Sequence, residues 1–226
     1  MPIPLPPLHQ LFQDHWDAWM RFDPLTATYV GDQRFNDRLP AATDDAFHAW
    51  REQLIGFRTR LDGISPQALS SSDQLNAELF RHLLENEISE LGFNAHRLPI
   101  SRTAGFHLMF PDMFQVMPFN DTQDYANYIS RLAAFKRYAL ENIELMRLGL
   151  RTGYLPPHCT LTDLDKQLKA QMVTDATASV FYQPFKQLPD QINDLERNKL
   201  SEAAQKAILE AVVPGYQAVL QFVEQE

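Results

Sequence analysis

The residues between Asp121 and Gly153 repeat apolar side chains every three or four positions, with no proline and no glycine before Gly149. This spacing places one apolar stripe along an α-helix, and Asp121 can cap its first turn. The pattern therefore predicts a helix lasting until Gly149 or Gly153, about 40 Å long at 1.5 Å per residue. A helix of this length requires a large helical body. The stripe comprises Tyr125, Tyr128, Ile129, Leu132, Phe135, Ile143 and Met146.

Similar periodicity predicts helices in most of the remaining chain. Alternating strand patterns and internal repeats are absent from the sequence, so the predicted fold class is all-α: long amphipathic helices in an irregular array, with apolar connectors rich in proline and glycine and no substantial sheet. The other predicted helices are 8–22, one from a Thr43 cap to Leu61, one after a Ser71/Gln74 capping box to Gly92, one after a Thr162/Asp165 capping box fading near Ser179, a short polar one at 189–198, and one capped by Ser201 and interrupted at Pro214.

One stretch breaks the helical patterning. Residues 97–121, RLPISRTAGFHLMFPDMFQVMPFND, contain three prolines, three methionines and four phenylalanines. Connecting segments are usually polar, because irregular backbone needs water or specific partners. We therefore expect a nonhelical connector that is buried between two long helices. Arg102 and His107 flank Gly105 there, and such segments often line clefts, so these two residues are the candidate substrate-binding side chains.

Charge and composition exclude several classes of protein. The chain carries 20 Lys and Arg against 29 Asp and Glu, a formal charge of −9, and its basic residues form no run, which argues against a nucleic-acid partner. No window of about 18 apolar residues predicts a membrane span. The first residues do not have the pattern of a signal peptide. We expect a cytoplasmic protein, with a periplasmic or secreted location left open.

Metal-binding and nucleophilic patterns are weak. Glu78, His82 and Glu85 share a helical face and could present ligands to zinc or iron as in a metal carrier, but a solvated face in which Arg81 pairs with Glu85 is the simpler interpretation. Cys159 is the single cysteine, so no intramolecular disulfide can form, and a structural thiol is expected. The sequence assigns neither a catalytic residue nor a metal ligand.

Two further polar groups have structural interpretations. His15 lies within an apolar helical stripe and is expected to be a buried or boundary histidine. Glu141 and Glu144 lie one turn apart, and Arg137 and Arg147 are spaced to form ion pairs with them. Neither pattern by itself predicts catalysis.

Five segments in order resemble the amino-terminal half of the bacterial DUF 885 family, and the resemblance covers nearly all 226 residues. No single segment is highly specific, and their order gives the resemblance its weight. They are DPLTATYVGDQRFND, SSDQLNAELFRHLLENEISEL, LPISRTAGFHLMFP, DYANYISRLAAFKRYALENIELMRLGLRTGYLPP and AVVPGYQAVLQFVEQE.

The resemblance implies a mostly helical protein similar to the Taq-type carboxypeptidase-like zinc metallopeptidases. In such a site, an H-E-G-x-P-G-H-H type helix would supply two zinc-binding histidines and a glutamate acting as general base on metal-bound water. This sequence contains no such run. We therefore expect zinc and a peptide-like substrate in the intact family member, and no metal site or hydrolase activity in this chain alone.

The last predicted helix is still periodic at Glu226 and has no glycine cap. We accordingly expect residues 1–226 to be a single helical region, the amino-terminal part of a larger domain that continues beyond Glu226. If so, exposed apolar helix faces would favour self-association. A helical binding or interaction module without enzymatic activity is the alternative function.

Overall fold

The computed structural model describes residues 6–226, and across that range the all-α prediction is confirmed. The described part of the chain contains no β-strand; its one β feature is an isolated antiparallel bridge between Ile100 and Gly105. The helices are α1 (Pro7–Phe22), α2 (Pro24–Tyr29), α3 (Asp44–Asp62), α4 (Ser71–Gly92), α5 (Phe106–Asp112), α6 (Thr122–Thr152), α7 (Leu164–Lys169), α8 (Asp194–Ala207) and α9 (Val213–Gln225).

The chain forms two compact units, and each is discontinuous in sequence. The small unit contains the residues up to Phe22 together with Thr43–His96, and the large unit contains Asp23–Ala42 together with Arg97–Glu226. Residues 23–42 therefore leave the small unit between α1 and α3 and belong to the large unit.

The small unit consists of α1, α3 and α4. Each helix buries its apolar stripe and exposes its polar face, so the core consists of aliphatic and aromatic side chains. Trp50 donates its indole Nε1–H to Glu87 at 2.7 Å, which satisfies the one polar group of the largest buried side chain there. The buried apolar residues of this core are Leu8, Leu11, Trp50, Leu54, Phe57, Leu61 and Leu84.

His15 is buried in the small unit, as its position in the sequence predicts, with only 6% of its surface exposed. The rings of Phe80, Phe57, Trp50 and Trp19 lie 5.0 to 6.3 Å from its imidazole. Its Nε2 has no hydrogen-bond partner in the described part of the chain. Burial lowers the pKa of His15 to about 4, so the ring is neutral at physiological pH.

The large unit is organised around α6, the helix predicted after Asp121. Asp121 accepts hydrogen bonds from the backbone N–H groups of Gln123 and Asp124, and Gly153 ends the helix at φ 82°, a left-handed conformation that glycine adopts without strain. The helix packs against α8, α9 and the turn between them. Gly215 of α9 lies so close to α6 that a Cβ there would be 2.7 Å from the Phe135 ring.

Arg131 of α6 is fully buried and holds residues 23–42 of the large unit. Its guanidinium donates to the backbone carbonyls of Arg38, Pro24 and Phe35 and to the Thr28 hydroxyl, at 2.6 to 3.2 Å. Burial lowers the pKa of Arg131 to about 10, a shift opposed by Asp37 and Asp23. The group therefore keeps its charge at neutral pH although carbonyl oxygens supply most of its partners.

The predicted ion pairs on α6 are present. Arg137 contacts Glu141 at 2.6 Å, and Arg147 contacts Glu144 at 2.7 Å. Glu141 also accepts the backbone N–H of Ala42 at 2.9 Å, which adds a second attachment for residues 23–42.

Several predicted helix boundaries were wrong, each for a local reason. Ser70, one residue earlier than predicted, caps α4 by accepting the backbone N–H of Asp73. The Thr162/Asp165 capping box does not form, because the Thr162 hydroxyl donates to the carbonyl of Cys159 instead. The following helix, α7, starts at Leu164 and ends at Lys169, ten residues before the predicted end near Ser179.

The carboxyl-terminal helices also differ from the prediction. Asn193 caps α8, eight positions before the predicted Ser201 cap. The helix Asp194–Ala207 therefore includes the last residues of the short helix predicted at 189–198 and continues beyond Ser201. The interruption predicted at Pro214 is present as a turn of π-helix, Ile208–Val212, which accommodates a proline that has no backbone N–H to donate.

Residues 97–121 are more helical than predicted. They contain α5 and a 3-10 turn, Met113–Gln115. The predicted burial holds for five of the eleven Leu, Ile, Val, Met and Phe side chains of the segment. The buried members are Ile100, Phe106, Phe110, Met113 and Met117. Its apolar composition is thus explained first by the core of the large unit.

Candidate functional site

The backbone between Ile100 and Gly105 forms a tight turn, which we call the Gly105 turn. Ser101 N–H donates to the Ala104 carbonyl at 2.8 Å, and the Ser101 hydroxyl bonds both backbone groups of Ala104. Gly105 has φ 134°, where side chains are rarely tolerated, and a Cβ there would lie 2.5 Å from the Pro99 carbonyl oxygen. Glycine is therefore required for the turn to close and for α5 to begin at Phe106.

Gln167 of α7 links the two predicted site residues. Its amide nitrogen donates to the Arg102 carbonyl at 3.0 Å, and its amide oxygen lies 3.2 Å from His107 Nε2. Arg102 N–H in turn donates to the Thr160 carbonyl at 2.6 Å. The structure thus brings Arg102 and His107 into one hydrogen-bond network. Gln167 was missed because nothing in the sequence spacing relates it to residues 60 and 65 positions earlier.

His107 is an interior residue of this network. Only 2% of its surface is exposed, and its backbone carbonyl accepts the Tyr216 hydroxyl at 2.9 Å. Since the Gln167 amide nitrogen is directed to Arg102, its oxygen accepts the Nε2–H of a neutral imidazole, and Nδ1 is left without a hydrogen-bond partner among residues 6–226. Burial lowers the pKa of His107, opposed by the Gln167 bond, so the buried ring is neutral at physiological pH.

Arg102 is the accessible cation of the Gly105 turn. Its side chain is 55% exposed, and its guanidinium is 3.9 Å from the Asp163 carboxylate. Asp163 is bonded more closely by Lys166, at 2.6 Å, and this bond, with a smaller contribution from Arg102, lowers the pKa of Asp163. Because Lys166 already neutralises Asp163, the Arg102 guanidinium can bind a carboxylate or phosphate through two parallel hydrogen bonds.

A separate cleft of about 510 Å³ opens on the large unit. Phe114 and Phe119 from the apolar stretch line it with Tyr125, and Asp190 is its one charged lining residue. This cleft gives a second reason for the apolar composition of residues 97–121, since Phe114 and Phe119 are only partly buried.

The described residues do not fit a metal ion. Across residues 6–226, no group of three histidine, cysteine, aspartate or glutamate side chains is arranged to hold one. Glu78, His82 and Glu85 are all exposed on α4. Arg58 of α3 bonds Glu85 at 2.6 Å and Arg81 bonds Asp62, so the predicted pairing of Arg81 with Glu85 was wrong. Cys159 is exposed and has no second thiol available.

A family profile described as "Bacterial protein of unknown function (DUF885)" matches residues 24–226. The chain belongs to the DUF885 family. The match includes the Gly105 turn, Gln167 and all of the large unit from Pro24 onwards. This confirms the family named by the five ordered segments, and it leaves the peptidase activity implied by that resemblance as a proposal.

Among solved structures, the DUF885 chain is similar to the "putative lipoprotein from Colwellia psychrerythraea", with a TM-score of 0.85 and 19% sequence identity. The similarity covers 96% of this chain and 40% of that protein, so the chain spans about two fifths of its length. At this identity the similarity shows the fold alone. No curated protein matches the sequence significantly. In the part of the chain that the structure describes, no helix is long and apolar enough to cross a membrane.

Proposed function

We propose that this chain is the amino-terminal helical part of a DUF885 protein whose intact form is a zinc-dependent peptidase, and that Arg102 binds the substrate. The proposed role of this chain in substrate binding is supported by the exposed Arg102 guanidinium on the Gly105 turn. The 40% coverage of the structural neighbour supports assigning the remaining machinery to sequence outside this chain. Zinc is proposed for that part alone, because the described residues do not fit it.

Arg102 would recognise a carboxylate of a peptide-like substrate, either the terminal carboxylate or an acidic side chain. Guanidinium and carboxylate form short, charge-assisted and often bidentate hydrogen bonds, which fix orientation as well as supplying affinity. Gln167 would act as a positioning residue, because its amide nitrogen holds the Arg102 carbonyl at 3.0 Å. His107 would in turn position Gln167, since its ring is buried and contacts the Gln167 amide oxygen.

The test compares this chain with a longer protein expressed from the same reading frame, each loaded with zinc and assayed against peptides with free and amidated carboxyl termini. We expect hydrolysis by the longer protein and none by the 226-residue chain. Stoichiometric zinc or peptide cleavage in the short chain would overturn the assignment of the chemistry to other sequence. A longer protein without either property would overturn the peptidase proposal.

The role of Arg102 is tested in the longer protein by Arg102→Ala, with the exposed Lys199→Ala as a control for loss of a surface charge. We expect a KM raised about tenfold or more by Arg102→Ala, since charge-assisted hydrogen bonds contribute about 1.5 to 3 kcal/mol. The kcat should change little. An unchanged KM, or an equal effect from Lys199→Ala, would remove Arg102 from the substrate site.

The cytoplasmic location expected from the sequence stays a prediction. The name of the Colwellia psychrerythraea protein, a lipoprotein, supports the other location left open, outside the cytoplasm. Fractionation of cells that express the intact protein distinguishes the two.

A helical interaction module remains the second candidate function. It is favoured by one observation that the peptidase proposal leaves unused, the row of exposed leucines on α4.

A further inference from the structure

Three leucines are exposed in a row on α4 of the small unit. Leu75, Leu79 and Leu83 are exposed to 57%, 59% and 47%. Their spacing of four residues places them on one face, opposite the buried Leu84, over about 12 Å of helix. Single exposed leucines are ordinary, whereas a continuous apolar row on a soluble domain marks an interaction surface. We call these three residues the leucine row.

The surroundings of the leucine row are acidic. Glu78, His82 and Glu90 are exposed on α4. By helical phase, Glu78 lies beside the row, three residues after Leu75. Glu90 lies in line with the row about 10 Å beyond Leu83, while His82 is the exposed neutral side chain on the same face. The small unit has eleven Asp and Glu against five Arg and no Lys in its sequence, a formal charge of −6 out of −9 for the whole chain.

The arginines of α3 and α4 are already occupied. Arg58 bonds Glu85, Arg60 bonds Asp14, Arg81 bonds Asp62 and Arg51 donates to the Ile88 carbonyl. The four arginines of these two helices are therefore bonded to groups other than Glu78 and Glu90.

We infer that the leucine row is the docking surface for a basic amphipathic helix of a partner protein. Such a helix would lay its own apolar stripe along Leu75, Leu79 and Leu83, with flanking Lys or Arg side chains reaching Glu78 and Glu90. Burial of the leucines supplies most of the affinity, and charge complementarity selects the partner and its orientation.

A second copy of this chain is the competing occupant. Face-to-face pairing of two α4 helices would cover the leucines but would bring the same carboxylates together from both sides. Like charges placed close to one another oppose association, most strongly at low salt. The charge pattern therefore favours a basic partner over self-association, which the exposed apolar faces alone would have permitted.

The experiment uses the 226-residue chain and two synthetic amphipathic helices that differ in one respect. Both peptides carry the same leucine stripe, with lysines flanking it in one and glutamates in the other. Fluorescence anisotropy of the labelled peptides measures binding. We expect the lysine peptide to bind at least about tenfold more tightly than the glutamate peptide, with an affinity that falls as salt rises.

Variants locate the binding surface. Leu79→Ser should weaken binding of the lysine peptide about tenfold, since one buried leucine contributes roughly a factor of ten or more. Leu195→Ser is the matched control, because Leu195 is 65% exposed in the large unit and lies outside the row. Glu78→Gln with Glu90→Gln should weaken binding and reduce its salt dependence. Unchanged tryptophan fluorescence in each variant establishes that the small unit is folded.

Three outcomes would overturn the inference. Equal binding of both peptides would show that charge does not select the partner. Equal effects of Leu79→Ser and Leu195→Ser would show that the leucine row is not the binding surface. A dimer in sedimentation that Leu79→Ser dissociates would identify a second copy as the occupant. None of these readouts depends on zinc or on peptide cleavage, so the inference can fail while the proposed peptidase function stands, and the reverse.

Discussion

The small unit buries a histidine among aromatic rings, whereas the large unit buries an arginine among backbone carbonyls. His15 is uncharged at neutral pH, since burial lowers its pKa to about 4. Arg131 keeps its proton and recruits four oxygen acceptors instead. A buried polar group can thus be accommodated by losing charge or by gaining partners, and the first solution depends on pH whereas the second does not in the neutral range.

The two units can be observed separately. All three tryptophans of the chain, Trp16, Trp19 and Trp50, belong to the small unit, and all seven tyrosines belong to the large unit. Tryptophan fluorescence therefore reports unfolding of the small unit, and the near-ultraviolet circular dichroism of tyrosine includes the large one. The predictions below use this division.

The largest expected effect is that of Arg131→Met in the large unit. Loss of the guanidinium leaves buried carbonyl oxygens without donors, and we expect the free energy of unfolding to fall by about 4 kcal/mol. The tyrosine signal in urea unfolding measures this, while the tryptophan transition should change much less. Arg151→Met, at an exposed position of the same helix, is the control and should have little effect. An equally small effect at position 131 would show that the carbonyls find other donors.

Acidification should act next most strongly, and on the small unit. The unfolded His15 binds a proton below pH 6.5, whereas the folded one does so only below about 4. Stability is therefore fully present above pH 6.5 and is lost as pH falls towards 4, by about 3 kcal/mol at 1.36 kcal/mol per pKa unit. Urea unfolding followed by tryptophan fluorescence at several pH values measures it. His15→Leu should flatten the profile in this window, and an unchanged slope would assign the acid sensitivity to other groups.

The smallest effect compares one substitution in both units. Gly215→Ala places a Cβ 2.7 Å from the Phe135 ring and 3.4 Å from the Lys136 Cα of α6, so overpacking should cost about 2 kcal/mol. Gly56→Ala on α3 meets nothing within 4 Å, and the gain in helix propensity should stabilise the small unit by about 1 kcal/mol. Thermal unfolding of the two variants gives the sign of each change, and equal signs would contradict the difference in packing.

Periodicity was sufficient to predict the fold class and the longest helix. The α6 stripe, its Asp121 cap and its Gly153 end are each encoded by residues close together in the sequence, which is why local patterns identified them. Boundaries failed where two neighbouring residues compete for one role, as Ser70 and Ser71 do at the start of α4. In residues 97–121, Phe106, Phe110 and Met113 form a buried stripe at helical spacing, but exposed apolar residues such as Met109 and the three prolines hid it in the sequence.

The candidate site was predictable only in part. Arg102 and His107 were chosen as candidate site residues because polar side chains beside a glycine are unusual within an apolar stretch. Burial of His107 and the bridge through Gln167 depend on a contact 60 residues apart, which no local pattern encodes. The division into two units was not predicted either, because the bonds from Arg131 that hold residues 23–42 in the large unit join positions at least 93 residues apart.

The attachment of residues 23–42 to Arg131 also sets an order of events during synthesis. The bonds from Arg131 join positions 93 to 107 residues apart. A ribosome adding about 5 to 20 residues per second needs roughly 5 to 20 s to cover that distance. The small unit can fold once His96 has been synthesised, whereas residues 23–42 have no packing partner until α6 has been synthesised. A pause in translation before Arg131 would therefore prolong the period in which residues 23–42 are unfolded and accessible to proteases and chaperones.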